Sequence, residues 1–371
     1  MEISELAARL VDIPSVSGNE REIADFVEDR LRANPRLEVL RDGDSVLART
    51  NLGRPGRVIL AGHLDTVPIA ANVPGRFIGD DDEATPATAG VPRSLWGRGS
   101  VDMKGGCAVF LALAEDLVDL RLDITWVFYD HEEVAAELSG LGRVARHHPE
   151  WLMGDLAVLG EPTNGRIEGG CNGTMRLNLT ARGRAAHSAR PWMGVNAVHG
   201  LGEPLRRLEQ WGPSVRTVGG LAFKESLLAV GVVGGGARNS VPDEASLIVN
   251  FRFAPDRTEE EAESYVREMF ADLPLEIEVT DSAAAAAPGM DHPECERLAG
   301  LLEARGAGEA VAKLGWTDVA RFSQLGVPAI NCGPGDPLLA HREDEACPVA
   351  QIEDTYAVFT QWLQTSEKMS S

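Results

Sequence analysis

The sequence predicts an α/β protein with a central mixed sheet and a second, inserted domain. Three apolar segments of strand length alternate with segments of helical periodicity, which is typical of α/β folds; these strands lie at 58–61, 124–130 and 156–159. After residue 172 the elements instead follow the order β-α-β-β-α-β, which is typical of a ferredoxin-like unit. The α/β pattern returns after residue 282, so we predict that the second domain is inserted into the first.

The length of the chain predicts two domains, and its net charge excludes some classes of partner. A chain of 371 residues can bury two cores, and we assign 1–172 and 283–371 to the main domain and 173–282 to the inserted one. The 35 basic and 57 acidic residues give a net charge of −22. This charge opposes nucleic acid and anionic membranes as partners, because both require clustered Lys and Arg. A small anionic substrate is compatible with this net charge, because its binding depends on arginines near the site rather than on the charge of the whole protein.

The amino terminus and the cysteines predict a cytoplasmic protein. Residues 1–5 contain neither a basic n-region nor an apolar h-region, and no later segment reaches transmembrane length. The five cysteines are odd in number and include no Cys-x-x-Cys pair. This pattern favours reduced structural thiols over a disulfide framework or a zinc finger.

The elements of the main domain follow from its apolar periodicity. A first amphipathic helix covers 3–11, and Ser17–Glu20 is interpreted as a capping box that starts a second helix. Residues 69–95 show no period and are interpreted as a surface loop, with a short hairpin as an alternative for part of it. A helix follows Gly106. In the last part of the chain we predict a helix at 295–305, a strand at 329–331 and a helix at 349–365.

The elements of the inserted domain are predicted in the same way. The expected strands lie at 174–181, 227–233, 245–253 and 275–279. One helix is expected at 196–210, and a second begins at the capping box formed by Thr258 and Glu261.

His63 and Asp65 follow the first central strand. Side chains alternate between the faces of a strand, so these two leave the sheet on the same side, at its carboxyl end. Such a pair suits a metal-binding imidazole and the carboxylate that orients its second nitrogen. A single His-x-Asp is more often only the hydrogen-bonded end of a strand. The metal hypothesis is preferred here because four more candidate ligands follow.

Asp102 lies in a glycine-rich turn just before a predicted helix. The glycines could indicate a nucleotide-binding loop, but Gly97-x-Gly99 lacks the third glycine and the strand-turn-helix context of a dinucleotide site. An Asp at a tight turn is better placed to hold a cation. Two further strands end in Glu132-Glu133 and in Glu161, and the carboxyl ends of strands are where sites form in open α/β sheets.

Five short motifs carry these residues in order along the chain. They are His63-Leu-Asp65-Thr-Val-Pro, Gly97-Arg-Gly-Ser-Val-Asp102-Met-Lys-Gly-Gly, Asp130-His-Glu132-Glu133, Gly160-Glu161-Pro162 and Ala340-His341-x-x-Asp-Glu345. Together they resemble the M20 family of dinuclear zinc amidohydrolases and peptidases. The resemblance implies a zinc-peptidase-like catalytic domain with an inserted dimerisation or lid domain, and a homodimer.

The resemblance also implies which residues bind metal. His63 and Glu161 would hold one Zn²⁺, Glu133 and His341 the other, and Asp102 would bridge both, giving two ions per subunit with Co²⁺ as a substitute. Nitrogen and oxygen ligands suit Zn²⁺, and three protein ligands per ion leave positions open for water and substrate. Family members keep the peptide bond after the bridging Asp in the cis form, so a cis Asp102–Met103 bond is expected.

The remaining roles come from the same resemblance. Glu132 would be the general base, Asp65 would orient His63, and His187 would stabilise the oxyanion from the partner subunit. Four further residues match substrate-contacting positions: Asn239, Arg252, Thr317 and Arg321. For Arg252 the alternative is the solvated face of its strand, and for His187 it is a surface loop.

The expected reaction is the hydrolysis of an anionic N-acyl amino acid. Within the family, motifs such as Gly315-Trp-Thr-Asp318 and Gly333-Pro-Gly-Asp-Pro favour N-succinyl-LL-2,6-diaminopimelate. One alternative is another deacylase or a dipeptidase, similar to acetylornithine deacetylases. A second alternative is a non-catalytic metal-binding relative, but such a protein would need no Glu132 beside its ligands.

Overall fold

The computed structural model describes residues 1–79 and 92–364. Its contacts divide the chain into two compact units. Unit 1 comprises the described residues of Met1–Gly169, Pro288–Val311 and Arg321–Ser371, and unit 2 comprises Gly170–Ala287 and Ala312–Ala320.

The assignment of 312–320 to the main domain was wrong, because this segment clusters with unit 2. Its hydrogen bonds explain why. The Asn172 N–H donates to the Lys313 carbonyl, and the Trp316 indole donates to the Ala284 carbonyl. This return could not be predicted from sequence, because the segment lies within a stretch of α/β periodicity.

Helices of four or more residues occur throughout the described chain. Their bounds are α1 Ile3–Asp12, α2 Arg21–Arg32, α3 Lys104–Asp116, α4 Gly140–His147, α5 Ala197–Gly200, α6 Gly202–Gln210, α7 Glu259–Met269, α8 Pro293–Glu303, α9 Val319–Gln324 and α10 Val349–Leu363.

Strands are found in both units. Their bounds are β1 Glu38–Asp42, β2 Ser45–Arg49, β3 Arg57–His63, β4 Arg76–Ile78, β5 Ser94–Trp96, β6 Asp123–Tyr129, β7 Leu156–Leu159, β8 Glu168–Gly169, β9 Gly173–Arg182, β10 Ala186–His187, β11 Val215–Val218, β12 Leu221–Lys224, β13 Ser226–Gly234, β14 Ser240–Val241, β15 Glu244–Phe253, β16 Leu275–Ala283, β17 Val311–Ala312, β18 Ala329–Asn331 and β19 Ala346–Pro348.

The main sheet is mixed, as predicted, with the strand order β1-β2-β6-β3-β7-β18-β8-β17. Its centre is parallel, since β6 and β7 both run parallel to β3, and β18 runs parallel to β7. Strands β6 and β7 are buried along their whole length, which is expected where both faces of a parallel sheet are covered. Their carboxyl ends share one edge of the sheet, so the residues that follow them can converge there.

Helix α3 brings the Asp102 turn against this edge. Nearly all of its residues are buried, and it packs against β3, α1 and α10. Glycine is required at its start, because a Cβ on Gly106 would lie 2.1 Å from the carbonyl oxygen of Gly160. The first turn of α3 therefore lies directly against the loop that carries Glu161.

The main sheet of unit 2 and the helical segments between its strands follow the predicted β-α-β-β-α-β order, and β10, β11, β12 and β14 are additional short strands. Strands β9, β13, β15 and β16 form one antiparallel sheet in the order β13-β15-β9-β16. One face of the sheet contributes Leu177, Leu247, Val249 and Phe251 to a core that also includes helix residues such as Val266. The capping box of α7 is confirmed.

One helix prediction needs correction, and one hairpin was missed. The helix expected at 196–210 is two helices that meet at Leu201, because Pro204 has no N–H to donate to the carbonyl of Gly200. The short hairpin considered for 69–95 is present as the antiparallel pair of β4 with β5, and β5 also pairs with β19. The acidic run 80–83 lies outside the described residues. The hairpin β11–β12 was not predicted.

The cysteines agree with one expectation from sequence. All five cysteines are free and buried. Among the described residues, no helix combines the length and apolarity that crossing a bilayer requires.

Candidate metal centre

His63 ends strand β3 and is buried beside two aspartates. Its Nε2 lies 3.1 Å from Oδ1 of Asp102. Its Nδ1 lies 3.0 Å from the backbone oxygen of Asp65 and 3.6 Å from the nearer carboxylate oxygen of that residue. The nearer partner of Nδ1 is thus the Asp65 backbone carbonyl, whereas its carboxylate was predicted from sequence. With Nδ1–H donated to this carbonyl, Nε2 is left as the metal-facing nitrogen.

The carboxylate of Asp65 fixes the loop that follows β6. It accepts the backbone N–H of Glu132 at 2.9 Å and that of Glu133 at 3.1 Å. It also accepts the Ser17 hydroxyl at 2.6 Å. The predicted Ser17–Glu20 capping box is therefore wrong: α2 begins without a side-chain cap, and the Ser17 hydroxyl is bound to Asp65 instead.

Asp102 lies between the two candidate histidines. One carboxylate oxygen faces His63, and the other lies 3.3 Å from Nε2 of His341. The Asp102–Met103 peptide bond is cis, as expected. A carboxylate with one oxygen directed to each histidine has the placement that a bridging ligand requires.

Six side chains converge here into three overlapping sets of potential ligands. Within each set the ligand atoms lie within 4.8 Å of one another; the sets are His63 with Asp102 and Glu161, Asp102 with Glu133 and His341, and His63 with Glu132 and Glu133. The first two sets match the two ion sites expected from sequence. The third set brings Glu132 to the same place.

The electrostatics of this cluster favour positive charge. Hydrogen bonds to Asp102 and Glu133 raise the pKa of His341 to about 10. Burial alone would lower the pKa of His63, yet the hydrogen bond and charge of Asp102 raise it well above its usual value. In the metal-free cluster the neighbouring carboxylates thus favour the cationic form of both imidazoles, in which each ring nitrogen carries a proton. A divalent cation can replace the proton on the metal-facing nitrogen of each ring, and a donor set of imidazole nitrogens and carboxylate oxygens suits Zn²⁺.

Sequence reasoning missed several residues that support the cluster. Glu20 is buried, and its carboxylate accepts the N–H groups of Gly18 at 2.9 Å and of His131 at 3.3 Å. Lys104 is also buried and donates to the Ile13 carbonyl at 2.7 Å; burial lowers its pKa to about 7. Glu345 was recognised only as part of a motif. The bond from His131 to Glu20 spans 111 residues of sequence and that from Lys104 to Ile13 spans 91, so no local pattern could have found either.

The other predicted site residues are distributed over both units. His187, Asn239, Arg252 and Thr317 belong to unit 2, and Arg321 belongs to unit 1. His187 is exposed, and its Nδ1 accepts the N–H of Ala189 at 3.0 Å. Arg252 is half-buried, and burial lowers its pKa. Thr317 was predicted on the main domain; it is buried in unit 2, where its carbonyl accepts the Cys171 thiol at 3.7 Å.

The fold and the cluster define an α/β protein with a metal centre at the carboxyl edge of its parallel strands, and the donor set is that of a metallohydrolase. A family model described as peptidase family M20/M25/M40 matches residues 59–365. The chain belongs to this family.

Relatives and solved structures agree with this assignment. The chain is 48% identical over 360 residues to a putative succinyl-diaminopimelate desuccinylase of Mycobacterium tuberculosis, covering 97% of each chain. It is 46% identical over 366 residues to a succinyl-diaminopimelate desuccinylase of Corynebacterium glutamicum, covering 96% of this chain and 95% of the relative.

Two solved structures share the fold. A tripeptidase from Staphylococcus aureus has a TM-score of 0.77 at 19% identity, covering 98% of this chain and 97% of that one. A Bacillus subtilis protein described as a dinuclear metal-binding peptidase of the M20 family has a TM-score of 0.64 at 15% identity, covering 97% and 96%.

Proposed function

We propose that this protein hydrolyses N-succinyl-LL-2,6-diaminopimelate to succinate and LL-2,6-diaminopimelate, a step of lysine and diaminopimelate biosynthesis. The observation that carries the proposal is the convergence of two three-ligand sets that share Asp102, with Glu132 beside them. The identity of 48% to a putative desuccinylase over 97% of the chain supports the choice of substrate.

In the proposed site, His63, Asp102 and Glu161 hold one Zn²⁺, and Asp102, Glu133 and His341 hold the second. When bound, the two ions would supply the Lewis acidity that lowers the pKa of water and polarises the amide carbonyl. Glu133 lies 2.9 Å from His341, so this part of the ligand set is already assembled by protein contacts.

The chain's own residues supply the remaining steps. Glu132 takes a proton from the water that attacks the succinyl carbonyl carbon. The carbon–nitrogen bond then breaks, and Glu132 delivers that proton to the departing amine. Asp65 positions Glu132 for both transfers by accepting its backbone N–H. We assign His187 and Asn239 to oxyanion stabilisation, and Arg252, Thr317 and Arg321 to contacts with the substrate carboxylates.

A substrate panel tests the proposal. Amine release by the zinc-loaded protein would be measured with N-succinyl-LL-2,6-diaminopimelate, N-acetylornithine and a set of dipeptides, with Glu132→Gln as the control for contaminating activity. We expect the highest kcat/KM with the succinyl substrate. A higher kcat/KM with N-acetylornithine or a dipeptide would instead assign the protein to another activity of the family.

We further propose that the protein is a cytoplasmic homodimer. Strand β13 lies at the edge of the unit 2 sheet, and four of its apolar side chains are exposed: Leu228, Val230, Val232 and Val233. An exposed apolar edge strand favours pairing with a second chain. Light scattering across a range of concentrations would measure the oligomeric state directly.

A further inference from the structure

The carboxylate of Glu345 is bound to the turn that presents Asp102. Its Oε1 accepts the backbone N–H of Val101 at 2.9 Å and that of Asp102 at 3.0 Å. Glu345 is 1% exposed, so water does not compete for these bonds. Because Asp102 and Glu345 lie 243 residues apart in sequence, the bonds join two distant loops.

Arg98 completes the connection between these loops. Its guanidinium is 2.9 Å from Oε2 of Glu345 and donates to the Arg342 carbonyl at 3.1 Å. Like Glu345, Arg98 is buried. The Gly97 N–H also donates to the backbone carbonyl of Glu345 at 3.1 Å. The segments 97–102 and 341–345 are thus joined by both side-chain and backbone bonds.

Each joined segment carries one ligand of the same ion site. Asp102 ends one segment and His341 begins the other, and their side chains lie 3.3 Å apart. Partners behind the ligands orient them and can change metal affinity or activity about 10–100-fold. We propose that Glu345 and Arg98 are a positioning pair that holds Asp102 against His341 and so sets the affinity of the ion bound by Asp102, Glu133 and His341.

The chemistry of the pair makes Glu345→Gln an informative change. The carboxylate accepts two N–H groups with one oxygen and the guanidinium with the other. A glutamine side chain has a single acceptor oxygen, so it can satisfy the Asp102 turn or Arg98, but not both. The shape is kept while the connection between the loops is weakened.

Asp344→Asn is the matched control. Asp344 is the neighbouring residue, is exposed, and pairs only with Arg342 on its own loop among the contacts described. The substitution removes the same unit of charge at almost the same place, but it leaves the bonds between the two loops intact.

The experiment titrates the metal-free proteins with Zn²⁺ and measures the number of ions bound and the affinity of each by competition with a chelator. We expect wild type and Asp344→Asn to bind two ions with the same two affinities. In Glu345→Gln the ion that is also lost in His341→Ala should bind about 10–100-fold more weakly, and the other ion should change less. Unchanged affinities, or equal weakening of both ions, would overturn the positioning role.

A second variant covers the case in which Glu345→Gln does not fold. Arg98→Lys keeps the positive charge but loses the planar guanidinium that reaches both Glu345 and Arg342. Arg98→Lys should lower the affinity for the same ion as Glu345→Gln does. Two unchanged affinities in a folded Arg98→Lys protein would again overturn the inference.

This inference rests on the proposed function only for the presence of two ions. A wild-type protein that binds two ions without releasing amine from the succinyl substrate would overturn the proposed function and leave the positioning role standing. Normal amine release by the wild type, together with unchanged metal affinities in the variants, would overturn the positioning role and leave the proposed function standing. A wild-type protein that binds a single ion would overturn both.

Discussion

At the scale of single residues, Glu132 and Glu133 show how adjacent carboxylates can take different roles. Both backbone N–H groups are bound by the carboxylate of Asp65, so the peptide between the two residues is held in one orientation. Glu133 lies against His341, and both Glu132 and Glu133 come close to His63. One clamped peptide can therefore present a metal ligand and a base to the same water.

This division predicts different outcomes for two conservative substitutions. Glu132→Gln should keep both ions and lose about 10²–10⁴-fold in kcat, because only proton transfer is removed. Glu133→Gln should lose metal as well as activity. Metal analysis of the purified proteins, combined with turnover of the succinyl substrate, separates the two. A near-normal kcat in Glu132→Gln with full metal content would contradict its role as the base.

The candidate ligands could be predicted from sequence because each lies in a short motif at the end of a strand or in a tight turn. Their supporting contacts could not. Ser17 and Glu20 have the spacing of a capping box, but Ser17 binds Asp65, which is 48 residues away. The sequence could show that a Ser and a Glu were available, but not that a distant buried carboxylate would be the stronger partner for the hydroxyl.

At the scale of elements, strand β6 positions the Glu132–Glu133 loop and is itself anchored at its other end. Asp123, its first residue, is buried and accepts the Leu52 N–H at 2.8 Å, the Arg54 N–H at 3.0 Å and the Thr50 hydroxyl at 2.8 Å. Burial alone would raise the pKa of Asp123, but these hydrogen bonds lower it. The ionised carboxylate thus ties the loop at 50–54 to the central sheet.

Asp123→Asn should destabilise the protein by about 2 kcal/mol at neutral pH, since hydrogen bonds to a charged acceptor are lost. The pKa of this carboxyl is lower in the folded state than in the unfolded state. Its contribution is therefore present above the unfolded value, and it is lost as the pH falls through the folded one. The difference in unfolding free energy between variant and wild type should shrink below pH ~4, as measured by urea denaturation.

Asp155→Asn is a suitable comparison for this measurement. Asp155 is exposed and accepts one N–H, that of Arg57 at the start of the neighbouring strand β3. Asp155→Asn should therefore lower the free energy of unfolding by less than Asp123→Asn does. An Asp123→Asn effect that is equally large at pH 3 and pH 7 would show that the carboxylate charge is not what matters.

The elements themselves were predictable where an apolar run was unbroken, as in β7, or where periodicity was strong, as in β15 and α7. Prediction failed where a single residue interrupts a pattern, as Pro204 does between α5 and α6. It also missed the hairpin β11–β12, although a local signal was present. The two strands are joined by Gly219-Gly220, both with positive φ, and a Gly-Gly pair between two short strand-like segments is typical of a tight hairpin turn.

At the scale of the whole molecule, length and element order indicated two domains, but not that the chain enters unit 2 twice. Ala312–Ala320 returns to unit 2 after Pro288–Val311 has joined unit 1. Thr317 consequently belongs to unit 2, while Arg321, four residues later, belongs to unit 1. Two substrate-contact candidates from one short segment are thus carried by different units, which a linear assignment of domains cannot represent.

The proposed dimer predicts that His187 acts on the metal site of the partner subunit. Glu132→Gln and His187→Ala homodimers should each be nearly inactive. In a mixed dimer, one site would combine an intact Glu132 with an intact His187 from the other subunit. Random reassortment of equal amounts makes about half of the dimers mixed, each with one intact site, so activity should recover to about a quarter of wild type. If His187 served its own subunit, every site would keep one lesion, and subunit exchange verified by mass spectrometry would restore no activity.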